Sequence, residues 1–99
     1  MIVYLLKVRG RGFYSETPEE QGLADGPKLI RAFAWPPEAE NYKDATNAYA
    51  GVALQVTKIE EKELAAVVAK TMPNTRVELS RMRTFNNWPT TARVILDVK

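Results

Sequence analysis

Apolar and polar residues alternate from the start of the chain: Ile2, Tyr4, Leu6 and Val8 fall on one side of an extended backbone, and Val3, Leu5, Lys7 and Arg9 on the other. A period of two predicts a strand whose first set of residues makes a clean apolar face. Gly10-Arg11-Gly12 interrupts the pattern and Phe13-Tyr14-Ser15 resumes it, which predicts a hairpin turned on glycines that take positive φ. Thr17 to Pro27 is polar and rich in turn formers, hence an exposed loop. Arg31 to Trp35 reads as a short strand, stopped by Pro36-Pro37, and these prolines preset φ for a helix from about Pro37 to Tyr49. Tyr42, Ala45, Ala48 and Tyr49 form its thin apolar stripe, and Gly51 ends it.

Val52, Leu54 and Val56 alternate with Ala53, Gln55 and Thr57, a strand pattern; helix through Val56 is the rival, because Ala45, Ala48, Val52 and Val56 also share a helical face. The strongest helix signal spans Thr57 to Asn74. Thr57 and Glu60 have capping-box spacing, Leu64, Val67, Val68 and Met72 make one stripe, and Pro73-Asn74 stops the run. Glu60, Glu61 and Glu63 at the start and Lys70 near the end suit the helix dipole.

The last quarter predicts an antiparallel hairpin. Val77 and Leu79 begin a strand whose same-side continuation is Arg81 and Arg83, Thr84 to Thr91 is its loop, and Val94, Leu96 and Val98 mark the return. The expected register sets Val77 opposite Val98, Leu79 opposite Leu96, Arg81 opposite Val94 and Arg83 opposite Ala92. The element order is then β-β-β-α-β-α-β-β: a single α+β domain over residues 1–99, with a mainly antiparallel sheet and both helices on one face.

Composition narrows the chemistry. The 99 residues contain no cysteine and no histidine, which removes disulfides, thiolate metal sites and the commonest general base. Hydrophobic residues at 45% and charged residues at 26% are those of an ordinary folded domain. Net charge is +2, with six basic and seven acidic side chains in residues 1–50 and eight and five in residues 51–99. The five apolar residues between Met1 and Lys7 are too few for a signal-peptide core or a membrane span, so cytoplasmic residence is expected.

Arg9-Gly10-Arg11-Gly12 has the form of an RNA-binding arginine-glycine element, yet a single copy between two strands is better explained as a turn. Asp97-Val98-Lys99 matches the acid-x-Lys element of metal-dependent nucleases without a second acid beside it, and the glutamates at 60, 61 and 63 diverge around a helix axis. A nucleophilic Ser15 or Ser80 would need lysine or carboxylate as base, and no spacing nominates one. No catalytic residue, cofactor or metal ligand is therefore assigned.

Across the first sixty residues, the strand and glycine turn MIVYLLKVRGRGFYS, the GLADGP loop, the short strand around Ala32-Phe33, the alanine-containing helix and Gly51 with VALQVTKIEE resemble small uncharacterised proteins of phages and other mobile elements. The resemblance implies an accessory or host-directed protein and carries no active-site residues.

Arg81, Arg83, Phe85, Asn87 and Trp88 make the expected partner-binding surface, since tryptophan and arginine dominate interface hot spots and also suit base stacking. The competing role for Trp88 is to fold back and close the core. The expected function is a small non-catalytic protein-interaction protein. Nucleic-acid binding by Arg76, Arg81, Arg83 and Arg93 is the alternative, and a carboxylate-based or metal-assisted enzyme is a third class that requires a cleft where two acids converge. A homodimer is expected, because Val3, Leu5 and Ile95 would otherwise leave an apolar second sheet face uncovered.

Overall fold

A computed structural model of the chain describes residues 1–51, 53–85 and 88–98, with side chains described for 1–46, 51, 53–81 and 92–98. Five strands, β1 (Ile2–Val8), β2 (Leu29–Phe33), β3 (Leu54–Glu60), β4 (Thr75–Phe85) and β5 (Trp88–Val98), form one sheet in the order β3-β1-β2-β4-β5. Two helices accompany it, α1 (Pro36–Ala50) and α2 (Leu64–Thr71), the second entered through a single 3-10 turn at Glu61–Glu63. This is the expected α+β domain with a mostly antiparallel sheet; the β2–β4 pair is parallel.

The helices do not share a face. β2, β3 and β4 all run the same way, since β2 and β3 each lie antiparallel to β1 and β4 lies parallel to β2. The chain crosses through α1 from β2 to β3 at one edge, and through α2 back from β3 to β4. Crossovers between parallel strands are right-handed, and two such crossovers travelling in opposite directions must cover opposite faces. Leu64 and Val68 of α2 accordingly close a core with Val3, Leu5, Ile30, Ala32, Val77, Leu79 and Val98. On the other face α1 lies over Leu6, Leu29 and Phe33, with Ala39 fully buried and Tyr42 packed on the Phe33 ring. Val3 and Leu5, expected on the uncovered side, are fully buried, whereas Ile2 and Tyr4 are less so.

Several boundaries move for the same kind of reason. Thr57 and Glu60 do not cap a helix: they pair with Leu5 and Ile2 in the β1–β3 ladder, which takes in all seven β3 residues. Strand is thus the outcome for residues 54–56, while Val52 lies outside the described residues. Helix α2 starts only at Leu64, and its preceding residue, Glu63, makes no side-chain cap. Phe13 to Ser15 is not a strand. After the Gly10 turn the segment makes one bridge to β1, Lys7↔Phe13, and then one to β2, Glu16↔Leu29, so it wedges between strands that pair directly only at Tyr4↔Phe33 and Leu5↔Ala32. The β4–β5 register is Val77↔Leu96, Leu79↔Val94, Arg81↔Ala92 and Arg83↔Thr90, one pair away from the expected one. A two-residue slip keeps every side chain on its face, so alternation could not discriminate the two registers. Strand pairing also runs through most of the expected 84–91 loop, reaching Phe85↔Trp88.

Candidate functional site

Strand β4 pairs with β2 only as far as Phe33↔Ser80, but its ladder with β5 continues for five more pairs, Arg81↔Ala92 to Phe85↔Trp88. At about 3.4 Å per residue this two-stranded arm extends roughly 17 Å beyond the last β2 pair. The sequence-nominated residues all map to it: Arg81, Arg83 and Phe85 take alternate positions on β4, Trp88 opens β5, and Asn87 lies outside the described residues. Side chains are described only for Arg81 among the five.

Arg81 is not the unpaired buried charge that the alternation pattern implies. Its guanidinium pairs with the Glu61 carboxylate of the 3-10 turn and approaches Met1 Sδ at 3.4 Å, tying arm, turn and amino terminus together. Arg76 pairs with Asp97 at 2.9 Å, and Arg93 lies 3.4 Å from Glu78. Three of the four arginines nominated for phosphate contact thus already face carboxylates. Glu60 pairs with the Met1 ammonium at 3.3 Å, so the 60, 61 and 63 glutamates disperse, and no group of three or more acidic side chains is placed to hold a metal among the described residues. Ser80 donates to both Glu38 oxygens, at 3.2 and 3.0 Å, but it is buried under the first turn of α1 and anchors that helix.

A second constellation lies on the α1 face, and its centre is Glu16. The wedge segment delivers Glu16 by a reciprocal backbone pair with Leu29, at 2.7 and 2.9 Å. Its Oε2 then accepts from Arg31 Nε of β2 and, at 2.8 Å, from the Tyr42 hydroxyl of α1. Arg31 also reaches Glu78 at 3.4 Å and stands 5.9 Å from the Tyr42 ring centre, a cation–π distance. Tyr14 meets Tyr42 edge to face at 6.4 Å and directs its hydroxyl toward Glu20 Oε2 at 3.4 Å. Glu20 is fixed by a capping box that does form: Thr17 Oγ1 accepts from the Glu20 amide at 3.2 Å, and Glu20 Oε1 accepts from the Thr17 amide and hydroxyl at 3.3 and 3.0 Å.

These side chains border an open cleft of about 460 Å³, lined by Tyr14, Glu16, Glu20, Tyr42, Ala45 and Thr46. Burial, reinforced by the hydrogen bond to Glu16 and that carboxylate's charge, pushes the Tyr42 phenol far up; burial and then Glu20 push Tyr14 up. Burial alone would lower the Arg31 guanidinium, but the Glu16 hydrogen bond and the charges of Glu16 and Glu78 outweigh it and raise it. Both tyrosines therefore remain neutral phenols, donating to carboxylates.

Here two acids do converge on a cleft. Each carboxylate is held as an acceptor, Glu16 of two bonds and Glu20 of three, whereas acid–base catalysis by a carboxyl pair requires one of them to donate. None of these residues was nominated by sequence reasoning. Thr17-Pro18-Glu19-Glu20 carried the one available signal, a capping box with proline at its first position. Comparison of the chain with protein-family models, curated proteins and solved structures finds no match.

Proposed function

We propose that the protein is a small non-catalytic interaction protein, of the accessory and host-directed kind that the resemblance of its first sixty residues to phage and mobile-element proteins implies. It acts in the cytoplasm and engages a protein partner through the β4–β5 arm. The observation that carries this reading is the arm itself, a ribbon whose ladder outruns the sheet by five pairs. A two-stranded ribbon without a third strand is marginal in water, and one that leaves its sheet gains most when another surface covers it. Arginine, phenylalanine and tryptophan at 81, 83, 85 and 88 are the residue types that such a contact uses.

The internal pairing of Arg76, Arg81 and Arg93 favours a protein partner over nucleic acid, because phosphates would have to displace carboxylates at each. A homodimer is part of the proposal, but its basis changes. With Val3 and Leu5 under α2, self-association rests on β5, where Val94 is 39% and Ile95 50% exposed at the sheet edge. Sedimentation equilibrium at the highest attainable concentration tests it, and monomer alone removes the dimer.

Affinity capture from a bacterial lysate, with and without nuclease, tests the main reading. A protein partner retained after nuclease treatment and at moderate salt is expected. Trp88→Ala and Arg83→Ala should each weaken that complex by roughly 1–3 kcal/mol while leaving the melting midpoint nearly unchanged. Capture that vanishes with nuclease, or a Trp88→Ala protein that melts early yet binds like the parent, sinks the proposed surface.

A further inference from the structure

The acidic cleft on the α1 face lies apart from the arm and needs its own account. Its volume of about 460 Å³ falls within the range of small-ligand sites. Among the described residues its lining has two carboxylates, two phenol rings, a threonine hydroxyl and an alanine methyl, and no cation. Arg31, which belongs to β2, binds Glu16 and Tyr42 without lining the cleft. The cleft therefore offers negative charge and π-faces together, the combination that recognises organic cations.

The site is also built in advance. Glu16 is held by Arg31 and Tyr42, Glu20 by the Thr17 capping box, and the two rings by each other, so a ligand meets groups whose rotamers are already set. Both bonds described for Glu16 fall on Oε2, out of roughly four lone-pair sites that a carboxylate presents. An anion would be repelled by both glutamates. A neutral apolar guest would leave them facing it unsatisfied. A hydrated metal ion would find only two carboxylates, fewer than the oxygen ligands it takes.

We propose that the Tyr14, Glu16, Glu20 and Tyr42 cleft binds a small organic ligand through an alkylammonium group. The ammonium donates to Glu16 and Glu20, and the alkyl chain lies against the two rings and Ala45. Thr46, which lines the cleft from α1, would favour a ligand with a second polar group.

Titration with n-butylammonium chloride at constant ionic strength, read from the ring resonances of Tyr14 and Tyr42, tests the assignment. Saturable shifts in both rings are expected, with n-butanol and butyrate at least roughly tenfold weaker, as loss of charge-assisted hydrogen bonds predicts. Glu20→Gln keeps a capping-box side chain and so preserves the local fold, yet it should weaken butylammonium roughly tenfold; Tyr14→Leu should weaken it severalfold. Amide spectra of both variants check that the fold is unchanged. Butanol binding as well as butylammonium, shifts that fail to saturate, or a folded Glu20→Gln protein with parental affinity would each overturn the proposal. A Gly-Lys-Gly peptide binding tenfold tighter than the free amine would move the site to a protein partner's lysine and overturn the small-ligand assignment. Trp88→Ala, which tests the arm, should leave this titration untouched.

Discussion

The two faces of the sheet are held by different physics. Under α2 the core contacts are apolar: Leu64 and Val68 drop onto Val3, Leu5, Ile30, Ala32, Val77 and Leu79, and every one of these is essentially inaccessible to water. Under α1 a smaller apolar patch of Leu6, Leu29, Phe33 and Ala39 is supplemented by Ser80 with Glu38, and by Arg31 between Glu16 and Glu78 beneath Tyr42. The α2 face derives its stability from area removed from water, which is non-directional. The α1 face depends on directional pairs whose loss leaves a partner stranded. A helix with little apolar stripe can dock this way only where the sheet offers matching polar groups, and the same groups then build a cleft.

Substitutions that should separate the two faces most begin with Leu64→Ala. It removes a fully buried side chain from the dry core and should cost about 2–5 kcal/mol in denaturant unfolding. A cost under about 1 kcal/mol would mean that α2 is not the principal lid. Arg31→Met comes next, at about 1–3 kcal/mol, because it leaves Glu16 with only the Tyr42 hydroxyl and Glu78 with only Arg93, and their side chains are only 13% and 14% exposed. Adding Glu16→Gln to Arg31→Met should recover part of that loss, a non-additivity that no pair of substitutions on the α2 face between distant residues should show.

Gly10 holds φ +76° where an added Cβ would meet nothing within 4 Å, so Gly10→Val isolates backbone strain and should cost about 1–2 kcal/mol. Gly12 has no positive φ, and Gly12→Val and Arg11→Ala should both be much milder. Equal effects at 10 and 12 would place the turn elsewhere. Ser80→Ala should cost only about 1 kcal/mol, since Glu38 keeps access to water and its place at the start of α1. The smallest effect is alkaline. The Tyr42 phenol is raised above its ordinary value of 10.0 by burial, then by its bond to Glu16. Its contribution is fully present below about pH 10; above that the unfolded phenol loses its proton first, and stability falls as pH rises. Tyr42→Phe should therefore flatten the loss of stability between about pH 10 and pH 11 relative to the parent. An unchanged slope would detach Tyr42 from Glu16.

Much of the α2 face was legible because its signals are local and repeated. The alternation in residues 77–79 and the 64, 67, 68, 72 stripe name their own buried side, whereas in residues 2–8 alternation named the strand but not the side that α2 covers, which Val3 and Leu5 take. Thr17 and Thr57 show where such signals stop. Both stand three residues before a glutamate, yet the box closes at Thr17 and not at Thr57. Residues 57–60 had a partner strand, β1, that pairs with each of them in register, whereas 17–20 had none, and a cap worth about 1 kcal/mol does not outweigh a ladder. The cleft was illegible for a related reason. Tyr14, Glu16, Glu20, Arg31, Tyr42 and Glu78 span sixty-five positions and follow no period.

The amino-acid sequence alone determined the class of domain, the α2 stripe, the C-terminal hairpin and the absence of histidine and cysteine chemistry, because propensity, period and composition are properties of short segments or of the whole count. Tertiary structure alone decided that the helices take opposite faces, that β2 lies parallel to β4, that Arg81 is neutralised by Glu61 and that Glu16 gathers Arg31 and Tyr42. Crossover direction and the polar pairing of residues fifteen and twenty-six positions apart, as at Glu16, are set by which strands become neighbours. That choice minimises the free energy of the whole chain, and no single segment encodes it.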